Sequence, residues 1–187
     1  MKLRTYLLSS VVVLAATAAL SAQTAKPADS SAEIKPAAPA FNKISLDGKK
    51  LDLISLRGKV VVLNFWFIEC RPCVEEMPTL NGLVDEFKDN DVVFIAPTWD
   101  NEATLGTFLK IHPFKYQVVA NARDMILGSY GDGTGNMPFP MHLVIDKEGK
   151  IDMKVTGALV TKQGTKKLDD FRNTITRLVN VPFDKAS

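Results

Sequence analysis

The hydrophobic positions alternate between solid runs and helical spacings, and their order predicts an architecture. Val60-Val61-Val62-Leu63-Asn64-Phe65-Trp66 is almost continuously apolar, so residues 59–66 are expected as a strand buried on both faces, as in a parallel or mixed sheet covered by helices. Val74, Met77, Leu80, Leu83, Val84 and Phe87 then recur at three- and four-residue spacing, which predicts a helix over residues 71–88 with one apolar face. Pro78 lies inside that helix and should kink it, because its ring removes a donor and crowds the preceding turn. Val92-Val93-Phe94-Ile95-Ala96 reads as a second buried strand, and strand–helix–strand implies a right-handed crossover.

The flanking segments complete a layout. Asp47-Gly48 is a turn signal between two short alternating segments, residues 41–46 and 50–56, so an antiparallel hairpin should precede the core. Residues 101–111 are expected as a helix closed by His112-Pro113, residues 116–120 as a short strand and 123–130 as a short helix. The glycine-rich stretch Gly131 to Asn136 lacks the lysine and hydroxyl residue of a phosphate-binding loop and opens no helix. Residues 141–146 and 151–155 read as strands joined by Lys147-Glu148-Gly149-Lys150. A last helix over 165–178 carries Leu168, Phe171, Ile175 and Leu178 on one face. The class is α/β, a central mixed sheet with helices on both faces and an N-terminal β-hairpin.

The ends of the chain change the domain picture. Lys2 and Arg4 precede an apolar stretch from Tyr6 to Leu20, then small residues and the polar Gln23-Thr24, with no acidic residue before Asp29. This is the form of a secretory signal peptide, expected over residues 1–22 with cleavage after Ser21 or Ala22. An uncleaved anchor is the alternative, although the run is shorter than a spanning helix needs. Residues 23–40 are small and Pro-punctuated and read as a flexible linker, leaving 41–182 as the folded domain. Removing residues 1–22 takes away two basic residues and no acidic one, so the formal charge of +2 falls to neutral. A neutral domain carries no electrostatic footprint for nucleic acid. Membrane contact is expected only if the N-terminal segment is retained.

Both cysteines of the chain, Cys70 and Cys73, lie between the first buried strand and its helix. At a helix start the unpaired N–H groups and the positive end of the macrodipole favour a thiolate. A structural disulfide closing so short a loop would restrain the unfolded chain little. A lone CxxC supplies only half the ligands of a zinc site, and no metal site is expected. The pair therefore reads as redox-active, its own disulfide standing where another enzyme has a cofactor. Glu76, three residues after Cys73, is its neighbour on a helix and could exchange a proton with it. Glu75 reads as the solvated acid of the two. His142 is most simply a strand residue, with contact to the dithiol edge as its sharper reading. Met137, Met141 and Phe139 are either an apolar rim for a client or core filler.

Phe65-Trp66 before the cysteines, Glu76 and Pro78 after them, Pro140 leading into Leu143-Val144-Ile145-Asp146, and Glu148-Gly149-Lys150 together resemble the exported TlpA/ResA-type thiol-disulfide oxidoreductases, over about residues 41–180. The resemblance implies a thioredoxin-like fold, with Cys70 as exposed attacking sulfur, Cys73 as resolving thiol and Pro140, favoured over the competing Pro138 by its spacing from Asp146, as the cis-proline. Phe139 would then offer backbone groups to an extended client, and Trp66, Arg71 and Pro72 would join the client-binding surface. Two departures stand out. Glu69 occupies a position the family usually gives to an aromatic residue, and Arg71 lies between the cysteines. A neighbouring anion and cation push a thiol's pKa in opposite directions.

The expected function is an exported thiol-disulfide oxidoreductase of the periplasm or cell envelope. It would exchange disulfides with protein clients and an upstream electron donor, as a reductant, with cytochrome c maturation a role of similar proteins. Two other functions compete. A copper(I) metallochaperone would use the same soft thiolates. A thiol peroxidase needs a threonine three residues before its reactive cysteine, where this chain has Phe67.

Overall fold

The computed structural model describes residues 35–134, 136–161 and 164–183. The expected signal segment and the expected linker up to residue 34 lie outside the described residues. An antiparallel pair comes first, β1 (Asn42–Ile44) and β2 (Lys50–Asp52). The main sheet follows with β3 (Val60–Phe65), β4 (Val92–Pro97), β5 (Gln117–Val119), β6 (Met141–Ile145) and β7 (Ile151–Thr156), in the spatial order β5-β4-β3-β6-β7. The β3–β4 and β4–β5 pairs are parallel, and β6 and β7 join antiparallel. The helices are α1 (Arg71–Glu86), α2 (Glu102–Ile111) and α3 (Lys166–Asn180).

Alternation along the strands divides the core. Val60, Val62 and Trp66 of the β3 segment join Phe94, Ala96 and Val144 on the face covered by Leu80 and Leu83 of α1, Leu105 of α2 and Phe171 and Ile175 of α3. Val61, Leu63 and Phe65 point the other way, toward Leu51 and Leu53 of the hairpin and Met125 and Ile126 of a π-helical turn, Asp124–Ser129. The three α-helices of the described residues therefore pack into one cluster. The opposite face is covered by the hairpin and the π-helical turn, which stands where an ordinary short helix was expected. Each fully buried side chain of this size stabilises by about 1.5–3 kcal/mol relative to exposure, so β3, buried at every position, is the axis of the fold.

Local features follow the sequence closely, with two differences. Both hairpin loops close through a glycine at positive φ, Gly48 at +80° and Gly149 at +75°. Each follows a backbone bond back to the loop's start, Gly48 N–H to Ser45 and Gly149 N–H to Asp146. The loops are thus longer than a two-residue turn. Pro78 lies inside α1 and sits on its exposed side. Residues 35–40, expected as linker, are docked instead. Ile151 and Ala38 donate backbone N–H groups to Pro36 and Gly149 respectively. The buried carboxylate of Asp152 is held between Lys35 and Arg177. Short apolar residues next to a strand edge found backbone partners, a signal that composition does not carry.

Candidate active site

The β3 strand ends at Phe65, and the chain passes through a loop whose Cys70 is the residue preceding α1. Cys70 and Cys73 are joined as a disulfide. The Cys73 and Val74 N–H groups both return to the Cys70 carbonyl, at 3.0 and 3.1 Å, while Pro72 in the first turn has no N–H to give. No side-chain oxygen caps α1, in contrast to α2, whose start is capped by Asn101 accepting from the Thr104 N–H at 2.9 Å. A missing cap costs a helix about 1 kcal/mol. It leaves the positive end of α1 to the sulfur atoms instead.

Cys70 retains 6% of its surface and Cys73 2%. Cys70 is the more open of the two, as expected, but in the disulfide it is far from fully exposed, with Phe67, Ile68 and Phe139 packed against the same cluster. The loop before it is braced by Asp100. That carboxylate accepts from the Ile68 N–H at 2.9 Å and from the Thr98 hydroxyl at 2.6 Å.

Glu75 and Glu76 separate cleanly. Glu75 is exposed and accepts from Arg71 Nε at 2.7 Å, one helical turn away. Glu76 is buried, 4% exposed, and its Oε2 accepts from the Leu159 N–H at 3.1 Å. Its Oε1 lies 3.1 Å from Nε2 of His142. Among the described residues neither of those two atoms has another partner, and their approach is close without being aligned as a hydrogen bond. His142, fully buried on β6, sits directly across from Asn64 of β3, and its Nδ1 is 3.1 Å from the Asn64 amide nitrogen. Tyr116 is also buried. Burial first, and the charge of Glu76 second, push its phenol well above the usual range.

The remaining expected site residues divide. The Phe139–Pro140 peptide bond is cis. Pro140 is buried, its carbonyl engaged by the Gly157 N–H, and Phe139 is half-buried. Arg71 and Pro72 are exposed beside the disulfide. Trp66 is the correction. It has no exposed surface and packs its rings against Phe108 and Phe114 at 5.9 and 5.8 Å. Its strand position aims it at the α2 side of the core, so it backs the site and has no surface with which to touch a client. Met137 and Met141 are core rather than rim. Among the described residues no group of three or more His, Cys, Asp or Glu is arranged to hold a metal.

Sequence reasoning missed four participants. Asn64 was detectable, as the one polar residue in an apolar run. Asp100 carried no signal, since its partners Ile68 and Thr98 are joined to it only by the fold. Phe67 and Trp99 form, with Phe139, a three-ring cluster at centroid distances of 4.6, 5.0 and 4.9 Å. All three are half-buried, and the Arg123 guanidinium lies 5.5 Å above Trp99.

Comparison with known proteins agrees with this geometry. Residues 34–154 match the model of the AhpC/TSA family. A thiol-disulfide oxidoreductase ResA of Bacillus cereus is 37% identical over 132 residues, covering 70% of this chain and 74% of the relative. The ResA of Bacillus thuringiensis subsp. konkukian is 34% identical over 145 residues, covering 77% and 79%. The thioredoxin domain of a thiol-disulfide oxidoreductase from Bacteroides vulgatus superposes with a TM-score of 0.62 at 27% identity, covering 78% of this chain and 97% of that one. With a disulfide at an uncapped helix start on a thioredoxin-like sheet, the chain belongs to the AhpC/TSA family and is a thiol-disulfide oxidoreductase of the ResA/TlpA type.

Proposed function

We propose that the protein is an exported reductant of protein disulfides in the cell envelope, with Cys70 as attacking sulfur, Cys73 as resolving thiol and Glu76 as the proton acceptor and donor for Cys73. The observation that carries this reading is the pairing of the Cys70–Cys73 disulfide with a buried carboxylate three residues further along the same helix. In the reduced protein the Cys70 thiolate attacks a client disulfide, forming a mixed disulfide and releasing one client thiolate. Cys73 then gives its proton to Glu76, attacks Cys70 and releases the second client thiolate. The protein is left oxidised and the client reduced by two electrons. An upstream thiol donor, of the same chemistry, restores the dithiol.

Export rests on the basic start and apolar run of residues 2–20. Envelope duty of the cytochrome c maturation kind follows from the family resemblance. The exposed Arg71 and Pro72, with the cis-proline loop at Phe139, supply the client edge, and the aromatic cluster of Phe67, Trp99 and Phe139 extends it.

Turnover of insulin disulfides with dithiothreitol as donor tests the reading. It should vanish in Cys70→Ser, and Cys73→Ser should accumulate mixed disulfides, while hydrogen peroxide should not be consumed. The equilibrium potential against a glutathione or dithiothreitol series tests the direction. A value below the glutathione poise of about −220 to −260 mV supports a reductant, and a value near that of a strong oxidase reverses the assignment.

A further inference from the structure

The buried pair behind Glu76 has no part in the scheme above, and its geometry gives it one. His142 and Asn64 face each other across β3 and β6 on the side of the sheet that α1 covers. The Asn64 amide nitrogen, 3.1 Å from Nδ1, is a donor, so Nδ1 accepts and the ring proton sits on Nε2. Nε2 is the atom 3.1 Å from Glu76 Oε1. Among the described residues these two buried polar atoms have no other partner, which is costly unless they share a proton.

The arrangement also works in reverse. If the Asn64 amide turns over, its oxygen accepts from Nδ1–H, Nε2 becomes an acceptor, and a protonated Glu76 donates to it. An Asn–His pair can thus satisfy Glu76 as carboxylate and as acid. The other groups facing it are fixed. The Leu159 N–H holds Oε2 at 3.1 Å, Val155 of β7 lies opposite His142 in register, and Phe171 of α3 meets the imidazole edge-on at 5.7 Å. The Tyr116 phenol also feels the Glu76 charge, after burial, and stays neutral.

Resting on the role proposed for Glu76, we infer that His142, oriented by Asn64, is a positioning residue for the dithiol chemistry: it sets how readily Glu76 takes up and returns the Cys73 proton. Without the imidazole, Oε1 would be left in an apolar core with no donor. With no donor to hold it, Oε1 would lose the orientation in which it receives the Cys73 proton. No electron transfer is altered; the proton simply stays on the thiol.

The test is the rate at which the reduced protein is oxidised by oxidised dithiothreitol across a pH series, which needs no protein client. His142→Leu is expected to move the profile to higher pH by about one unit, seen as a roughly tenfold slower reaction at pH 7. His142→Gln, which restores a donor toward Glu76, should recover most of it. In a Glu76→Gln background His142→Leu should add no further shift. A His142→Leu profile that superimposes on the wild type, or a shift that persists without Glu76, overturns the inference. If His142→Leu fails to fold, Asn64→Ala takes its place, expected to shift the profile in the same direction by less, and an unshifted Asn64→Ala profile overturns the inference equally. Failure of the wild type to reduce insulin would sink the proposed client chemistry and leave this measurement intact.

Discussion

Glu76, His142 and Asn64 come from a helix and two central strands, and none exposes more than 4% of its surface. Phe67, Trp99 and Phe139 come from three loops and all remain half-open. Glu76 lies one helical turn from Cys73, and Phe67 and Phe139 pack against the cluster that contains both cysteines; the difference between the sets matches two tasks. A proton acceptor must keep one geometry in a place with little water, so it stands on regular elements that the core over-determines. A surface that meets varied protein segments gains from loops, and aromatic rings give it contact area at little entropic cost. Chemistry is thus expected to fail when the first set is changed, and recognition when the second is.

Glu76→Gln is the sharpest way to break that comparison. General acid–base groups contribute about 10²–10⁴-fold, so oxidation of the reduced protein should slow by about 100-fold near neutral pH, for small and protein disulfides alike. Stopped-flow rates with oxidised dithiothreitol and with an oxidised protein client check it. A loss confined to the protein client would place Glu76 in recognition and erase the distinction. Trp99→Ala comes next. It removes two ring contacts, each worth roughly 0.5–1.5 kcal/mol beyond area, and should raise KM for the protein client by about tenfold. Its rate with oxidised dithiothreitol and its equilibrium potential should stay at wild-type values.

Asp100 tests whether the two sets are mechanically separate. Its carboxylate ties Ile68, next to Phe67, to the segment carrying Thr98 and Trp99. In Asp100→Ala those donors lose their acceptor at a cost of about 1–3 kcal/mol, which thermal unfolding should register. Client KM should rise by about threefold with the pH profile unmoved. A displaced pH profile would show that the loop and the buried pair act as one unit.

The frame was far more legible in sequence than the site. The solid apolar runs of β3 and β4 and the helical spacing of α1 state their burial directly, since each depends on neighbours in sequence. The disulfide, Glu76 and the cis bond before Pro140 were legible for the same reason, or through their fixed order along the chain. Trp66 misled because an aromatic residue beside a CxxC reads alike whether it points to solvent or core, and only its partners Phe108 and Phe114 decide. His142 was ambiguous because its meaning lies in Glu76, brought to it by an antiparallel pairing that periodicity does not encode. Phe67, Trp99 and Phe139 are separated by long stretches of chain and form a surface only after folding.

The smallest expected effect comes from the residue next to the one that matters most. Glu75 and Glu76 are consecutive acids on α1, yet Glu75 faces solvent and pairs with an Arg71 that is itself almost fully exposed. Exposed i,i+4 pairs contribute little and are screened by salt. Glu75→Gln should therefore leave the rate with oxidised dithiothreitol within about twofold of wild type and the pH profile in place, and any change should fade as salt is raised. Because Arg71 would lose its partner one residue from Cys70, the variant also asks whether surface charge tunes the dithiol. A pH profile displaced as far as that of Glu76→Gln would mean that helix-face charge, and not burial against His142, governs the proton.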